Sequence, residues 1–210
     1  MLHFSTIFEE KLTMKKSLLI FCLALFTNQM THAQSDIITG SEIGVDLAFS
    51  ASTNGGNAGI GLKYGLNLGE YFIVGPSVRY EYLWWKNYVG PSEVVSGNRH
   101  VYGGGVFAHA RFFNALFLGA EFEMLRSPYD KNGFLSVLEK TWAPTLFLGG
   151  GFSMEFNETV RINAGIMYDV IDPANSPFRS SYTFKKKTAD GLNAGYLPIL
   201  YRIAFFFPIS

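Results

Sequence analysis

The chain is 210 residues long, carries 17 basic and 17 acidic side chains, and is 48% hydrophobic. The balanced charge removes any global electrostatic reason to bind nucleic acid. A single cysteine, Cys22, excludes a disulfide framework and a cysteine metal site.

In chain order, the first segment reads as an export signal. Met14-Lys15-Lys16-Ser17 supplies a short basic region, and the apolar run Leu18 to Phe26 follows. Small residues at Thr31-His32-Ala33 suit a cleavage site, which leaves Gln34 or Ser35 at the mature start. Glu9-Glu10 do not suit a basic leader, so Met14 is read as the translation start. The apolar run is shorter than the roughly 20 residues a membrane helix needs. Phe21 is too bulky to precede a lipidated Cys22. Residues 1–33 are thus expected to be a signal peptide and 34–210 a single domain of about 175 residues. Setting aside Lys11, Lys15, Lys16, Glu9 and Glu10 leaves 14 basic and 15 acidic residues in that domain.

From Ser41 onward the sequence alternates with period two, the mark of strands with two different faces. Strand one sets Ile43, Val45, Leu47 and Phe49 against Glu42, Gly44, Asp46 and Ala48, and a turn is read over 53–57. Strand two sets Ile60, Leu62, Tyr64, Leu66 and Leu68 against Gly59, Gly61, Lys63, Gly65 and Asn67. Strand three runs from Phe72 to Trp84, with Arg79 and Glu81 on its polar face. Strand four, from His100 to Phe113, carries His109 and Arg111 there. Strand five sets Leu116, Leu118, Ala120, Phe122 and Met124 against Gly119, Glu121 and Glu123. Strands six and seven place Glu155, Arg161 and Asp169 on the polar side. Strand eight, the least regular, is read from Leu192 to Phe207, with Leu197 outward and Arg202 inward.

Links after strands two, four and six span a few residues, whereas Lys86–Arg99, Arg126–Lys140 and Ile171–Asp190 are long. Short turns alternating with long loops suit a transmembrane barrel with both termini on the short-turn side. The apolar face continues through all eight strands, while the other mixes glycine with charge, as a narrow barrel interior requires. Trp84, Trp85, Tyr102, Trp142 and Tyr168 mark one end, and Phe72, Phe112, Phe156 and Phe205 the other, like two interfacial girdles. The expected fold is all-β: an eight-stranded antiparallel up-and-down transmembrane barrel. A soluble sandwich or lipocalin-like barrel is the alternative.

The pattern over residues 41–210 resembles the small eight-stranded outer-membrane barrels, such as the OmpA transmembrane domain and OmpX. Phe205-Phe206-Phe207 resembles the aromatic last strand that barrel-assembly machinery recognises, although Pro208-Ile209-Ser210 follow it. The resemblance implies a Gram-negative outer-membrane location among lipid and lipopolysaccharide. It also implies a non-enzymatic structural or interaction role, free-standing or as a small subunit of a larger outer-membrane complex. A narrow pore or hydrophobic-solute channel is the rival expectation.

The candidate site is a lumen charge network of Lys63, Arg79, Glu81, Arg111, Glu121, Glu123, Glu155, Arg161 and Asp169, with Glu42, Asp46 and Arg202 on the same face. Isolated charges would be prohibitive there, so they are expected to pair as a plug. No catalytic residue, metal site or cofactor is expected. His109-Ala110-Arg111 departs from the His-x-Ser arrangement of barrel lipid A deacylases and lies on the wrong face. Lys185, Lys186 and Lys187 are either a solvated run or a contact for lipopolysaccharide phosphates or an acidic partner. The second reading draws on Phe178, Tyr182 and Phe184 beside them, which are available to insert at the interface.

Overall fold

A computed structural model describes residues 37–209, except 54, 90–93, 129–140, 158, 183 and 188–192. The expected signal peptide, residues 1–33, lies outside the described residues, as do parts of the long loops. Met1–Ile38 and Thr39–Ser210 are separate units, and the second holds the barrel.

The wall strands are β1 (Ile38–Ser52), β2 (Gly55–Leu68), β3 (Phe72–Val89), β4 (Val94–Phe112), β5 (Leu116–Ser127), β6 (Thr141–Phe156), β7 (Val160–Asp169) and β10 (Ile199–Ile209). These eight close on themselves in the order β1-β10-β7-β6-β5-β4-β3-β2. Between the last two in sequence come a 3-10 helix, Pro177–Ser181, and a small hairpin of β8 (Lys185–Lys187) with β9 (Asn193–Tyr196). Neighbouring strands pair antiparallel, for example Gly103↔Leu125 to Phe112↔Leu116 between β4 and β5. Among the described residues no helix is long and apolar enough to cross a membrane.

Period two decides the faces. On β5, Leu116, Leu118, Phe122 and Met124 are exposed, whereas Phe117, Glu121, Glu123 and Leu125 are buried. β10 behaves alike, exposing Tyr201, Ile203 and Phe207 and burying Leu200, Arg202, Ala204 and Phe206. A protein that exposes Leu118 at 62% while burying Glu123 completely is inverted relative to a water-soluble one. The barrel is therefore transmembrane: closure satisfies most strand edges, and the apolar wall meets hydrocarbon. At the short-turn end Phe113 and Asn114 take φ of 56° and 49°, and Asn157 takes 49°. These left-handed residues match hairpin twist.

Three expectations need correction. The segment 86–99 is largely strand, since β3 continues to Val89 and β4 begins at Val94. Past the wall, two β-rich segments can pair as a ribbon without two-faced alternation. The last wall strand begins at Ile199, after Pro198, while residues 193–196 pair with β8; Leu192, the expected start, lies outside the described residues. Leu197 is therefore outside the barrel wall; its N–H donates to the Phe184 carbonyl. Trp85 leaves the outer girdle, because it alternates with Trp84; its ring neighbours Gly97 and lies under Arg99.

Candidate functional site: a layered, charge-filled lumen

The inward side chains stack in layers along the barrel axis. Nearest the short turns, Arg161 bonds Glu155 and donates to Asn114 Oδ1 at 3.0 Å. That pair is partly exposed and separate from the central charges. Above it, Arg111 forks onto both oxygens of Glu42, at 2.8 and 2.9 Å. Asn67 donates to the same carboxylate at 3.1 Å. The Arg111 guanidinium lies 4.6 Å from the Phe206 ring centre, so one face is covered by an aromatic and its edge by a carboxylate. Ile73, Phe107, Ala204 and Phe206 form the next, apolar layer.

The central layer holds the densest charge. Lys63 Nζ donates to Asp46 Oδ2 at 2.5 Å and to Glu121 Oε1 at 2.9 Å. Arg79 Nε bridges both oxygens of Glu123, at 2.9 and 3.1 Å, while Nη2 reaches Asp46 Oδ2 at 2.9 Å. Arg202 Nη1 donates to Glu121 Oε2 at 2.5 Å. Strands β1, β2, β3, β5 and β10 thus contribute to one continuous ion cluster. Glu81 joins it, 3.9 Å from Arg79 and accepting from Asn57 Nδ2 at 3.3 Å. His109 Nε2 donates to Glu121 Oε1 at 2.9 Å, and Asn163 Nδ2 lies 3.4 Å from its other ring nitrogen. Phe107, Phe117 and Phe206 surround that imidazole. Glycine makes room for the long side chains: a Cβ at Gly61 would meet the Arg79 guanidinium at 3.1 Å.

Toward the long loops the lumen becomes apolar again. Leu83, Val101, Leu125, Phe147, Met167 and Leu200 from the wall meet Phe178 and Tyr182 from the 3-10 segment. Ser176 caps that helix by accepting from the Phe178 N–H, with Pro177 in its first turn. The Phe178 ring packs edge-on to Phe147 at 5.0 Å and lies 5.4 and 5.5 Å from the Arg79 and Arg202 guanidinium carbons. Tyr182 donates its hydroxyl to Asp169 Oδ2 at 3.0 Å. The expectation that Phe178 and Tyr182 insert at the membrane interface is therefore corrected. Both are buried inside, and only Phe184 lies on the wall, 5.8 Å from the Tyr201 ring.

The structure brings Lys63, Arg79, Glu81, Glu121 and Glu123 into one cluster and sets the others apart. Arg111 turns to Glu42, Arg161 pairs with Glu155, and Asp169 accepts from Tyr182 of the 3-10 segment. The buried position of the 3-10 segment escapes a strand-based reading, because Phe178 and Tyr182 lie in a loop without alternation. Phe147 and Phe206 were available from parity, two steps along from Thr145 and four from Arg202.

No family model matches the chain, and no curated protein matches it. Among solved structures it is similar to the Yersinia pestis outer membrane protein Ail in a phospholipid bilayer nanodisc. The identity is 14% and the TM-score 0.43, over 81% of this chain and 99% of that one.

Proposed function

We propose that the protein resides in the bacterial outer membrane as a non-enzymatic barrel whose lumen does not conduct. It serves as a structural or interaction protein, alone or as a small subunit beside a larger outer-membrane complex. The observation that carries this reading is the central cluster: Lys63, Arg79 and Arg202 are each bonded to carboxylates from other strands. An axial water path would have to separate these pairs in a low-dielectric interior, and the Phe178–Tyr182 plug backs them. An eight-stranded barrel is just wide enough for its own side chains. The export-type N-terminal sequence supports the location. His109, enclosed by three phenylalanines and hydrogen-bonded to Glu121, has neither the exposure nor the nucleophile that hydrolysis of a lipid ester needs.

Planar bilayers test the reading: pure wild-type protein should give negligible conductance. Steady, ion-selective steps that vanish on lumen substitution would overturn it in favour of a pore.

A contact surface is also proposed. Lys185, Lys186 and Lys187 are exposed on β8, while Phe184 beside them packs on the outer wall at Tyr201. This hairpin suits lipopolysaccharide phosphates. Replacing all three lysines by glutamine should weaken retention on lipopolysaccharide-containing vesicles at low salt, with the difference shrinking as salt screens the charge. Equal retention of both proteins at low salt would remove the basic hairpin from the account.

A further inference from the structure

The wall is not paired to the same height all the way round. β1 runs to Ser52 and β10 starts at Ile199, yet their ladder ends at Leu47↔Ile203. Continuing the register would set Phe49 opposite Tyr201 and Ala51 opposite Ile199, and among the described residues neither pairing exists. Each strand stays held on its other side. β10 pairs with β7 from Ile199↔Tyr168, and β2 approaches β1 so closely that a Cβ on Gly56 would lie 2.2 Å from the Ser50 carbonyl oxygen. The seam between β1 and β10 is thereby open from mid-wall to the level of Tyr168.

A cavity of about 480 Å³ fills this seam, a volume within the range of small-molecule sites, roughly 300–1,000 Å³. Its lining comes from both sides of the wall: Phe49, Tyr201 and Ile203 from the apolar exterior, Asp46 and Arg202 from the charged lumen, and Ser181 from the plug. Asp46 is 1% exposed. Its Oδ2 accepts from Lys63, Arg79 and Arg202, but among the described residues its buried Oδ1 has no partner, and neither has the buried Ser181 Oγ. An acceptor and a hydroxyl are thus left unmatched at the inner end of a cavity whose outer end is apolar. The facing edges of 48–51 and 199–202 add unpaired strand groups, to which hydrocarbon offers no hydrogen bond.

We propose that this seam is a binding site, entered sideways from the lipid, for a single-chain amphiphile with an uncharged, hydroxyl-bearing head. The chain lies against Phe49, Tyr201 and Ile203. The head donates a hydroxyl to Asp46 Oδ1 and exchanges a second hydrogen bond with Ser181 Oγ. A charged head is disfavoured because the neighbouring charges already compensate one another, Asp46 with Lys63, Arg79 and Arg202, so a further charge of either sign would be left unbalanced away from water. Sideways entry needs no axial path, so the site is independent of whether the lumen conducts.

The test uses the full-length barrel in phosphatidylcholine nanodiscs, titrated with radiolabelled 1-monooleoylglycerol, with oleate and oleylamine as charged competitors. Saturable binding at one site per barrel is expected, with either competitor weaker by about tenfold or more. Ala48→Trp, which fills the seam from β1, and Ser181→Leu, which removes the hydroxyl from the plug side, should each weaken binding by about tenfold or more. Each variant is read in preparations whose gel mobility still shifts on heating, and Ser181 lies outside the wall, so at least that variant reports on a folded barrel. No saturable binding by the wild type, undiminished binding by Ser181→Leu, or equal binding of oleate would overturn the proposal.

Discussion

A single side chain in this barrel acts differently according to which way it points. Leu118 points outward and is 62% exposed, so Leu118→Arg should destabilise the barrel by about 2–4 kcal/mol near mid-membrane. Urea unfolding from lipid vesicles measures this, and a change below about 0.5 kcal/mol would mean that Leu118 faces water. Its neighbour Gly119 points inward, where a Cβ would meet His109 Cδ2 at 2.9 Å. Gly119→Ala should therefore push the imidazole off Glu121, a displacement visible in the His109 ring resonances, without altering the outer wall. Unchanged His109 resonances would contradict the packing described for Gly119. Arg111→Ala strands the Glu42 carboxylate and uncovers Phe206, a loss of about 3 kcal/mol. Combining Arg111→Met with Glu42→Gln removes both charges at similar volume and should recover much of that loss. A double variant as unstable as Arg111→Ala would show that the pair stabilises through more than mutual compensation.

Among the elements, those with two different sides were legible in the sequence. β1, β2, β5 and β7 show a run of apolar side chains at every second position, because lipid selects that face, while the lumen positions vary and include Phe117, Leu125 and Met167. Alternation then fixes which charges share the interior, but not which of them meet. Arg111 reaches Glu42 across the lumen from β4 to β1, 69 residues earlier, and only barrel closure and stagger bring the two together. The extended β3–β4 ribbon and the β8–β9 hairpin stand where no such selection operates, so their pairing left no period to read. The 3-10 segment was the least legible element: its aromatics look like interfacial anchors until Ser176 and Pro177 turn the chain inward. Its attachment rests on Phe178 between Phe147 and two guanidiniums, and on the Tyr182–Asp169 bond. Phe178→Ala should therefore raise amide exchange over 176–182 by local opening, while the wall strands keep their protection. On the proposed closed lumen, conductance should stay negligible, because the ion pairs below the 3-10 segment remain. Unchanged exchange over 176–182 would mean that the segment is held by something other than the ring.

The barrel is an inside-out structure in which a charge cluster between two apolar layers forms the core and hydrocarbon-like side chains form the surface. Closed pairing around most of the circumference should make the folded form resist detergent, so its gel mobility should differ before and after boiling. The same sequence would be insoluble as a water-facing barrel, because Leu118, Phe152 and Tyr201 are each more than half exposed. The most direct test of this inversion is spin-label accessibility in reconstituted vesicles, at positions 116, 118, 122 and 124 of β5 in turn. All four labels should collide readily with oxygen and scarcely with a water-soluble nickel chelate, with the oxygen preference greatest toward mid-membrane. Labels at 118 and 122 that collide with the chelate as freely as a loop residue would show that this wall faces water, and would contradict the transmembrane barrel itself.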